Sequence, residues 1–229
     1  MSLSVPSYII PGTYLENAEH LARSASLAPV SGIELLFFFY NREIRLLFDR
    51  ERERLEGHRS RYSFTIHLPD TLLPEHRELV EATLDAADHY ILHPPRDASA
   101  PPLHTFLPQW RDAYGDVFLL ENTRMEQFSA AIRQMPDIPV CCDTGHLLLE
   151  GNEPAAFLDA YGPQIREIHL HGLKDGRDHQ GFSPDAPWFS RAASFMRRFG
   201  GVINAEVFSE ADVLEIIRSM TAHQLLAAV

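Results

Sequence analysis

The chain alternates short, mostly apolar runs with longer stretches in which apolar positions recur at the spacing of an α-helix. In the third of these stretches, for example, Leu79, Thr83 and Ala87 share one helical face. The apolar runs predict β-strands at residues 7–10, 32–38, 63–67, 89–93, 117–121, 140–143, 167–171 and 202–207. The other stretches predict α-helices at residues 15–25, 43–56, 74–87, 106–114, 125–134, 154–161, 187–199 and 210–221.

The repeated order of strand and helix indicates the fold class. Strands that alternate with helices through short connections are typical of parallel sheets with right-handed crossovers. Several of the apolar runs are almost continuous, as in strands that are covered on both faces. Eight such units close into a (β/α)8 barrel, the TIM barrel, and 229 residues suit one barrel. We therefore predict a single α/β domain over residues 1–229.

The charge balance narrows the class of partner. The chain carries 20 Lys and Arg against 32 Asp and Glu, a formal net charge of −12. Proteins that wrap nucleic acid usually present a basic face to the phosphates. The arginines of residues 42–61 are instead interleaved with acids, which predicts a solvated helix face. We therefore expect a small-molecule substrate and no nucleic-acid partner.

The cysteines and the apolar segments indicate the compartment. Cys141 and Cys142 are adjacent in a predicted strand, so their side chains point to opposite faces and a disulfide between them is not expected. Residues 1–10 lack the pattern of a signal peptide, and the longest apolar stretch, residues 33–40, is too short to span a bilayer. We expect a reduced, cytoplasmic protein with no membrane partner, and the sequence leaves the oligomeric state open.

Histidine and carboxylate residues recur where the predicted strands end. The residues at or within about one position of a strand's carboxyl end are His67, His93, Glu121, Asp143, His169 and Glu206. Two more, His146 and His179, lie in the loops that follow. The carboxyl ends of barrel strands meet at the face where active sites lie, and these side chains are the ligands of Zn, Mn and Fe. One such residue is equally well explained as a helix cap, but six at one rim favour a metal centre.

These eight residues divide into a core set of ligands and an added set of histidines. The core comes from the predicted strands five to eight and consists of Glu121, Asp143, His169 and Glu206, which can hold one divalent ion. The added set consists of His67, His93, His146 and His179. One ion cannot use all of these nitrogens, so we expect two or three ions close together, with a carboxylate such as Glu121 bridging two of them. We expect His171 to face away from His169, which leaves His169 as the ligand.

The second predicted strand carries residues of a different kind. Glu34 stands within an apolar run, and we predict a structural role for this acid in the barrel interior, paired with an arginine. The aromatic residues at 37–40 are predicted to pack in the core and at the barrel end rather than to hold a cofactor.

Three strings of the chain, VCCDTGHLLLEG, IREIHLHGLKDGRDHQ and ENT, resemble the xylose-isomerase-like TIM barrels, which include the endonuclease IV type of DNA-repair enzyme. The resemblance implies a trinuclear zinc-type site, with His67, His93 and Glu121 around one ion and the four core residues around the second. His146 and His179 would hold the third. The repair enzymes add an aspartate two positions before that last histidine. Arg177 stands there in this chain, which leaves Asp178 and Asp175 as alternatives.

A narrower resemblance covers nearly the whole chain. SYIIPGTYLENAEHLA, GIELLFF, FTIHLP, CDTGHLLLEG, IHLHGLKDGRDH and AEVFSEADV are similar to the cobamide-remodelling phosphodiesterases. That family is described as hydrolysing the nucleotide loop of adenosylated cobamides to a cobinamide phosphate and an α-riboside. The resemblance implies a divalent metal cofactor, Zn before Mn or Fe. It also implies that Glu121, Asp143 and Glu206 act in catalysis as well as ligating metal.

The sequence leaves three other activities open. A sugar isomerase or epimerase of the same superfamily would hold one ion with the core residues and exchange a proton through its two glutamates. The four added histidines disfavour it, because a single ion has no use for them. The net charge of −12 disfavours an abasic-site endonuclease. A barrel that binds a cobamide without chemistry is the third alternative.

Overall fold

The computed structural model describes residues 1–96 and 99–227, in which eight parallel strands close into a barrel. The strands are β1 (Ser2–Pro6), β2 (Gly32–Leu36), β3 (Ser63–His67), β4 (His89–Leu92), β5 (Phe118–Glu121), β6 (Val140–Asp143), β7 (Ile165–His169), β8 (Gly172–Lys174), β9 (Arg177–Gln180) and β10 (Val202–Asn204). The α-helices are α1 (Tyr14–Arg23), α2 (Arg42–Gly57), α3 (Arg77–Thr83), α4 (Leu107–Tyr114), α5 (Met125–Gln134), α6 (Thr144–Leu149), α7 (Pro154–Tyr161), α8 (Pro187–Met196) and α9 (Glu210–Ala222). Short 3₁₀ helices span Ala25–Leu27, His58–Ser60, Pro74–His76 and Leu103–Thr105.

The barrel follows chain order, which confirms the predicted (β/α)8 fold. Going round it, the strands are β1, β10, β7, β6, β5, β4, β3 and β2, and every neighbouring pair is parallel. The remaining strands, β8 and β9, form an antiparallel hairpin in the connection after β7. Helix α6 is a further addition to the plain repeat, because it follows β6 directly and precedes α7. Both additions lie at the carboxyl end of the barrel.

The first strand differs from the prediction. It spans Ser2–Pro6, where Leu3 and Val5 are buried and residues 2–4 pair with β10, whereas residues 7–10 form a turn. Pro6 ends the strand, and the Ser7 amide then donates to the Glu34 carbonyl at 2.8 Å as the chain leaves the barrel. Ile9 in this turn is buried in the core, so its apolar character does not mark a strand of the sheet.

Alternation along the strands separates two regions of packing. Cys142 belongs to the large core between the strands and the helices, which also contains Phe64, Phe118 and Phe128. Its neighbour Cys141 belongs to a separate cluster with Ile91 and Leu119. The adjacent cysteines thus face opposite sides of the sheet, and both are free thiols, as predicted. Within the described ranges, no helix combines the length and the apolar character needed to cross a bilayer.

Candidate metal centre

The side chains predicted as ligands converge at the carboxyl end of the barrel. His67, Glu121, Asp143 and His169 are the last residues of β3, β5, β6 and β7. His93 follows β4 by one position, Glu206 follows β10 by two, His146 lies in α6 and His179 in β9. In β4, β5 and β6, residues 91, 119 and 141 form the small interior cluster two positions before the ligand. Because strands alternate with a period of two, His93, Glu121 and Asp143 point to the same interior one layer higher.

The first ligand group consists of His67, His93 and Glu121, whose ligand atoms lie within 4.8 Å of one another. Glu121 Oε2 is 3.4 Å from His67 Nε2 and 3.0 Å from His93 Nε2. On its other side, the His67 ring donates from Nδ1 to the Leu68 carbonyl at 2.9 Å. That bond places the proton on Nδ1 and leaves the Nε2 lone pair for a metal ion.

The second group is the predicted core of Glu121, Asp143, His169 and Glu206, all of them buried. His169 Nδ1 lies 2.9 Å from Glu206 Oε2 and 3.9 Å from Glu121 Oε1. Asp143 also caps α6, because its Oδ1 accepts from the His146 amide at 2.7 Å. Glu121 belongs to both this group and the first, which is the position of a bridging carboxylate.

The third group lies nearer the surface and consists of His146, Asp178 and His179. Asp178 Oδ2 is 3.7 Å from His146 Nε2 and 3.9 Å from His179 Nε2. The His179 ring donates from Nδ1 to the Glu206 carbonyl at 3.1 Å, so its Nε2 faces Asp178. Of the two alternatives left by the sequence, the structure brings Asp178 to the group, whereas Asp175 lies between β8 and β9 with a positive φ of 54°.

His171 is the residue that the sequence interpretation misplaced. Its Nε2 lies 3.0 Å from Asp143 Oδ2 and 3.7 Å from Glu206 Oε2, and it forms a fourth possible group with His179 and Glu206. His169 Nδ1 approaches the same Glu206 oxygen, so the expectation that the two rings face opposite ways is wrong. Residues two positions apart in an extended chain share a face.

A glycine makes room for the His171 ring. A Cβ built on Gly145 would lie 2.0 Å from His171 Cε1, so any other residue would displace the ring or the start of α6. The ring is further held by its Nδ1, which accepts from the His179 amide at 2.8 Å. In the sequence, only the glycine of the DTGH string, Gly145, pointed to this close approach of the His171 ring.

Unpaired polar atoms at the centre test whether a metal fits. Buried side-chain atoms nearly always find a hydrogen-bond partner, yet His146 Nδ1, His169 Nδ1 and Glu206 Oε2 have none in the described part of the chain. His169 Nδ1 and Glu206 Oε2 are only 2.9 Å apart, but they are not aligned as a hydrogen bond. Nitrogen and carboxylate lone pairs directed at a common space are the donor set of a divalent cation. The residues therefore fit a metal centre.

The charges of the buried ligand groups also favour a bound cation. Burial by itself would raise the pKa of Glu121, but His93, His146 and His67 outweigh it and hold that pKa well below its usual value. Burial would lower the pKa of His67, yet Glu121 and the acids around it raise that pKa to about 9. Without metal, Glu121 thus stays ionised and draws a proton onto His67. A divalent ion would supply the same positive charge.

A second layer of buried acids lies beneath the ligands. Glu34 Oε1 is 3.4 Å from His169 Nε2, and the other Glu34 oxygen accepts a short hydrogen bond from the Asn204 amide. Glu34 has no ion pair with an arginine in residues 1–96 and 99–227, so the predicted partner is wrong. Glu167 Oε1 lies 4.0 Å from the same His169 nitrogen, and Thr65 donates to Glu167 Oε2 at 3.2 Å. His169 therefore presents Nδ1 to the ligand groups and Nε2 to the acids below.

An open cavity of about 240 Å³ gives access to the three groups. Its floor contains Glu121 and Glu206, and its rim includes Asp70, Arg96 and the exposed ring of Phe39. The cavity leaves space for substrate atoms directly above the ligand atoms. A substrate that binds there meets metal ligands below and a guanidinium at the side.

No family model matches the chain, and no curated protein is similar to it in sequence. Solved structures are similar over nearly the full length of both chains. A D-tagatose 3-epimerase-like protein is 16% identical, with a TM-score of 0.70, and the match covers 98% of this chain and 97% of that one. The probable 3-DHS dehydratase AsbF of Bacillus anthracis is 11% identical, with a TM-score of 0.64 and coverage of 97% and 98%. Endonuclease IV of Thermus thermophilus is 14% identical, with a TM-score of 0.57 and coverage of 98% and 99%.

These similarities show the fold. The shared fold is the (β/α)8 barrel, and the proteins of similar fold include both sugar epimerases and a nuclease. At such low sequence identities, the shared fold does not indicate which of these activities this chain has. The narrower resemblance to the cobamide phosphodiesterases stays a prediction.

Proposed function

We propose that this chain is a metal-dependent phosphodiester hydrolase that cleaves the nucleotide loop of adenosylated cobamides. The observation that carries the reaction class is the overlap of the ligand groups. Glu121 is shared between the group with His67 and His93 and the core group, and the group of His146, Asp178 and His179 adjoins them. This set offers more ligands than one ion can use, which favours a multinuclear centre, with Zn first and Mn or Fe as alternatives.

Divalent ions held together in this way lower the pKa of water and stabilise the charge of a phosphoryl group during in-line displacement. The chain's own residues complete the chemistry. Glu121, Asp143 and Glu206 each offer an oxygen that can accept a hydrogen bond from the attacking water and orient it. Arg96 at the rim, 2.8 Å from Asp70, can bind an anionic group of the substrate.

The identity of the substrate rests on the resemblance of the sequence strings to the cobamide-remodelling phosphodiesterases. The resemblance extends to the residues on which the centre depends, because the HLHG and DGRDH strings supply His169, His171, Asp178 and His179. The net charge of −12 agrees with a small-molecule substrate rather than with DNA. The two buried free thiols agree with a reducing cytoplasm.

A sugar isomerase or epimerase is the second candidate. The solved structures of similar fold favour it, because sugar epimerases are the commonest enzymes among them. Such a reaction would use the core of Glu121, Asp143, His169 and Glu206 around one ion. It would leave His67, His93, His146 and His179 without a function, although each of the four approaches a carboxylate of the core within 4 Å. For that reason the geometry supports the hydrolase better.

The test is incubation of the metal-analysed protein with an adenosylated cobamide, followed by mass spectrometry of the products. We expect a cobinamide phosphate and an α-riboside in equal amounts. A parallel incubation with D-tagatose and D-psicose tests the second candidate. An intact cobamide together with interconversion of these sugars would contradict the proposal and favour the epimerase.

A further inference from the structure

A second cleft, of about 370 Å³, opens beside the metal centre. It lies between the turn after β1, the end of β2 and the first turns of α2. The residues that shape it are Tyr8, Tyr14, Phe38, Ile44, Leu47 and Phe208. Its size is within the range of small-molecule sites, and the metal-centre chemistry described above does not use it.

The walls of this cleft carry no charge. None of the residues that line it in the described part of the chain is acidic, basic or a histidine. Two of its hydroxyl groups are already engaged, because the Tyr14 hydroxyl donates to the Leu36 carbonyl at 3.1 Å and the Ser7 hydroxyl accepts from the Leu36 amide at 3.1 Å. A charged occupant would lose its hydration here without finding a partner. The cleft therefore suits an uncharged, apolar group.

The same walls are rich in aromatic rings. The ring of Phe208 lies edge-on to those of Tyr8 and Phe38, with centroids 6.5 Å and 6.4 Å apart. Tyr8 remains about half exposed, at 51%, although it is a large aromatic residue at the mouth of the cleft. Edge-to-face and offset contacts between rings are favourable beyond the burial of area. A flat aromatic occupant would therefore gain more here than an aliphatic one.

Two aromatic side chains separate the cleft from the metal ligands. Phe38 and Phe208 line both the cleft and the cavity above the metal centre. On the side of the cavity, Phe38 packs 4.8 Å from the ring of His67, and Phe208 packs 4.7 Å from the ring of His179. A single layer of aromatic rings thus separates a group in the cleft from the ligands. A single substrate can reach both spaces across this pair of rings.

We propose that the cleft is a substrate subsite for an uncharged planar aromatic group, which is joined by a short linker to the phosphodiester at the metal centre. The identity of the substrate rests on the proposed function, in which the aromatic base of the released α-riboside is a group of this kind. The subsite itself rests on the shape, charge and aromatic lining of the cleft. It would make Tyr8, Ile44 and Leu47 determinants of which base is accepted.

Indole is a suitable probe, because it is uncharged and bicyclic and its nitrogen has no free lone pair for a metal. We expect saturation-transfer NMR on the metal-loaded protein to detect indole binding. Leu47→Arg places a charge in the cleft and should weaken binding about tenfold or more. Leu46→Arg is the matched control, since Leu46 is half exposed on the same helix and does not line the cleft; it should bind indole as the native protein does.

Tyr8→Ala is the second variant, because it removes a half-exposed ring and little buried area, and it should weaken binding about threefold to fivefold. If circular dichroism shows that Leu47→Arg is not folded, Tyr8→Ala is the variant that tests the subsite. No detectable binding, or equal binding by the native protein, Tyr8→Ala and Leu47→Arg, would overturn the subsite even if cobamides are hydrolysed. Binding that follows the expected order without any hydrolysis would instead support the subsite and contradict the proposed function.

Discussion

Replacement of Glu34 by glutamine tests how the buried layer supports the metal ligands. Glu34 Oε1 lies 3.4 Å from His169 Nε2, the nitrogen that faces away from the ligand groups, and neither atom has a hydrogen-bond partner in the described part of the chain. A carboxylate there orients the imidazole and increases the basicity of its other nitrogen. Glutamine keeps the size of the side chain and can still bond to Asn204, but it removes the negative charge.

Loss of such a partner typically weakens metal binding about tenfold to a hundredfold, which corresponds to about 1.4 to 2.7 kcal/mol. Glu167→Gln is the matched control, because Glu167 is also buried beneath His169. Burial, with help from Glu34, raises the pKa of Glu167 to about 8 against the opposing effect of His169, so at pH 7 this side chain is already mostly neutral. We therefore expect its amide variant to bind zinc within about threefold of the native affinity.

The assay is competition for zinc with a chromophoric chelator at pH 7, on protein whose fold has been checked by circular dichroism after metal removal. Weak zinc binding in Glu34→Gln, with near-native binding in Glu167→Gln, is the expected pattern. Unchanged affinity in Glu34→Gln, or an equal loss in both variants, would refute the positioning of His169 by Glu34.

Two other substitutions test the geometry around the outer ligands. Gly145→Ala should cost about 1–3 kcal/mol of unfolding free energy in urea, because its Cβ overlaps the His171 ring. Gly57→Ala, which meets nothing within 4 Å, should be neutral or slightly stabilising; equal effects of the two would show that the ring is free to move. Asp178→Asn should remove the outermost metal ion from the count obtained by elemental analysis, whereas Asp175→Asn should not. The opposite pattern would assign the third group to Asp175.

The sequence predicted the barrel and most of the centre for one physical reason. Strand alternation is a local property, so the apolar runs reveal where strands such as β3, β5 and β6 end. The closed parallel topology then brings every such end to the same face. His67, Glu121, Asp143 and His169 could be placed together in this way without knowledge of any distance. Glu121 could also be singled out as the shared ligand, because it comes from a strand between the two groups.

Two of the wrong predictions depend on contacts between distant segments, whereas the error at His171 concerned the period of two within one extended segment. Ile9 in the turn at residues 7–10 is apolar because it packs in the core, and that packing is invisible in a single run of sequence. The partner of Glu34 is Asn204 from the far end of the chain, which only closure of the barrel brings beside β2. The choice between Asp178 and Asp175, which the sequence left open, depends on the turn of the β8–β9 hairpin, where Asp175 and Gly176 adopt positive φ angles.

The number of metal ions per chain is the most direct test of a multinuclear centre. Native mass spectrometry measures this number of ions on folded, zinc-loaded molecules of the native protein and of the Glu121→Gln variant. The overlap of the ligand groups at Glu121 predicts two or three ions in the native protein, and fewer in the variant together with loss of cobamide hydrolysis. A single ion per native chain, or an unchanged count with full activity in Glu121→Gln, would contradict the account.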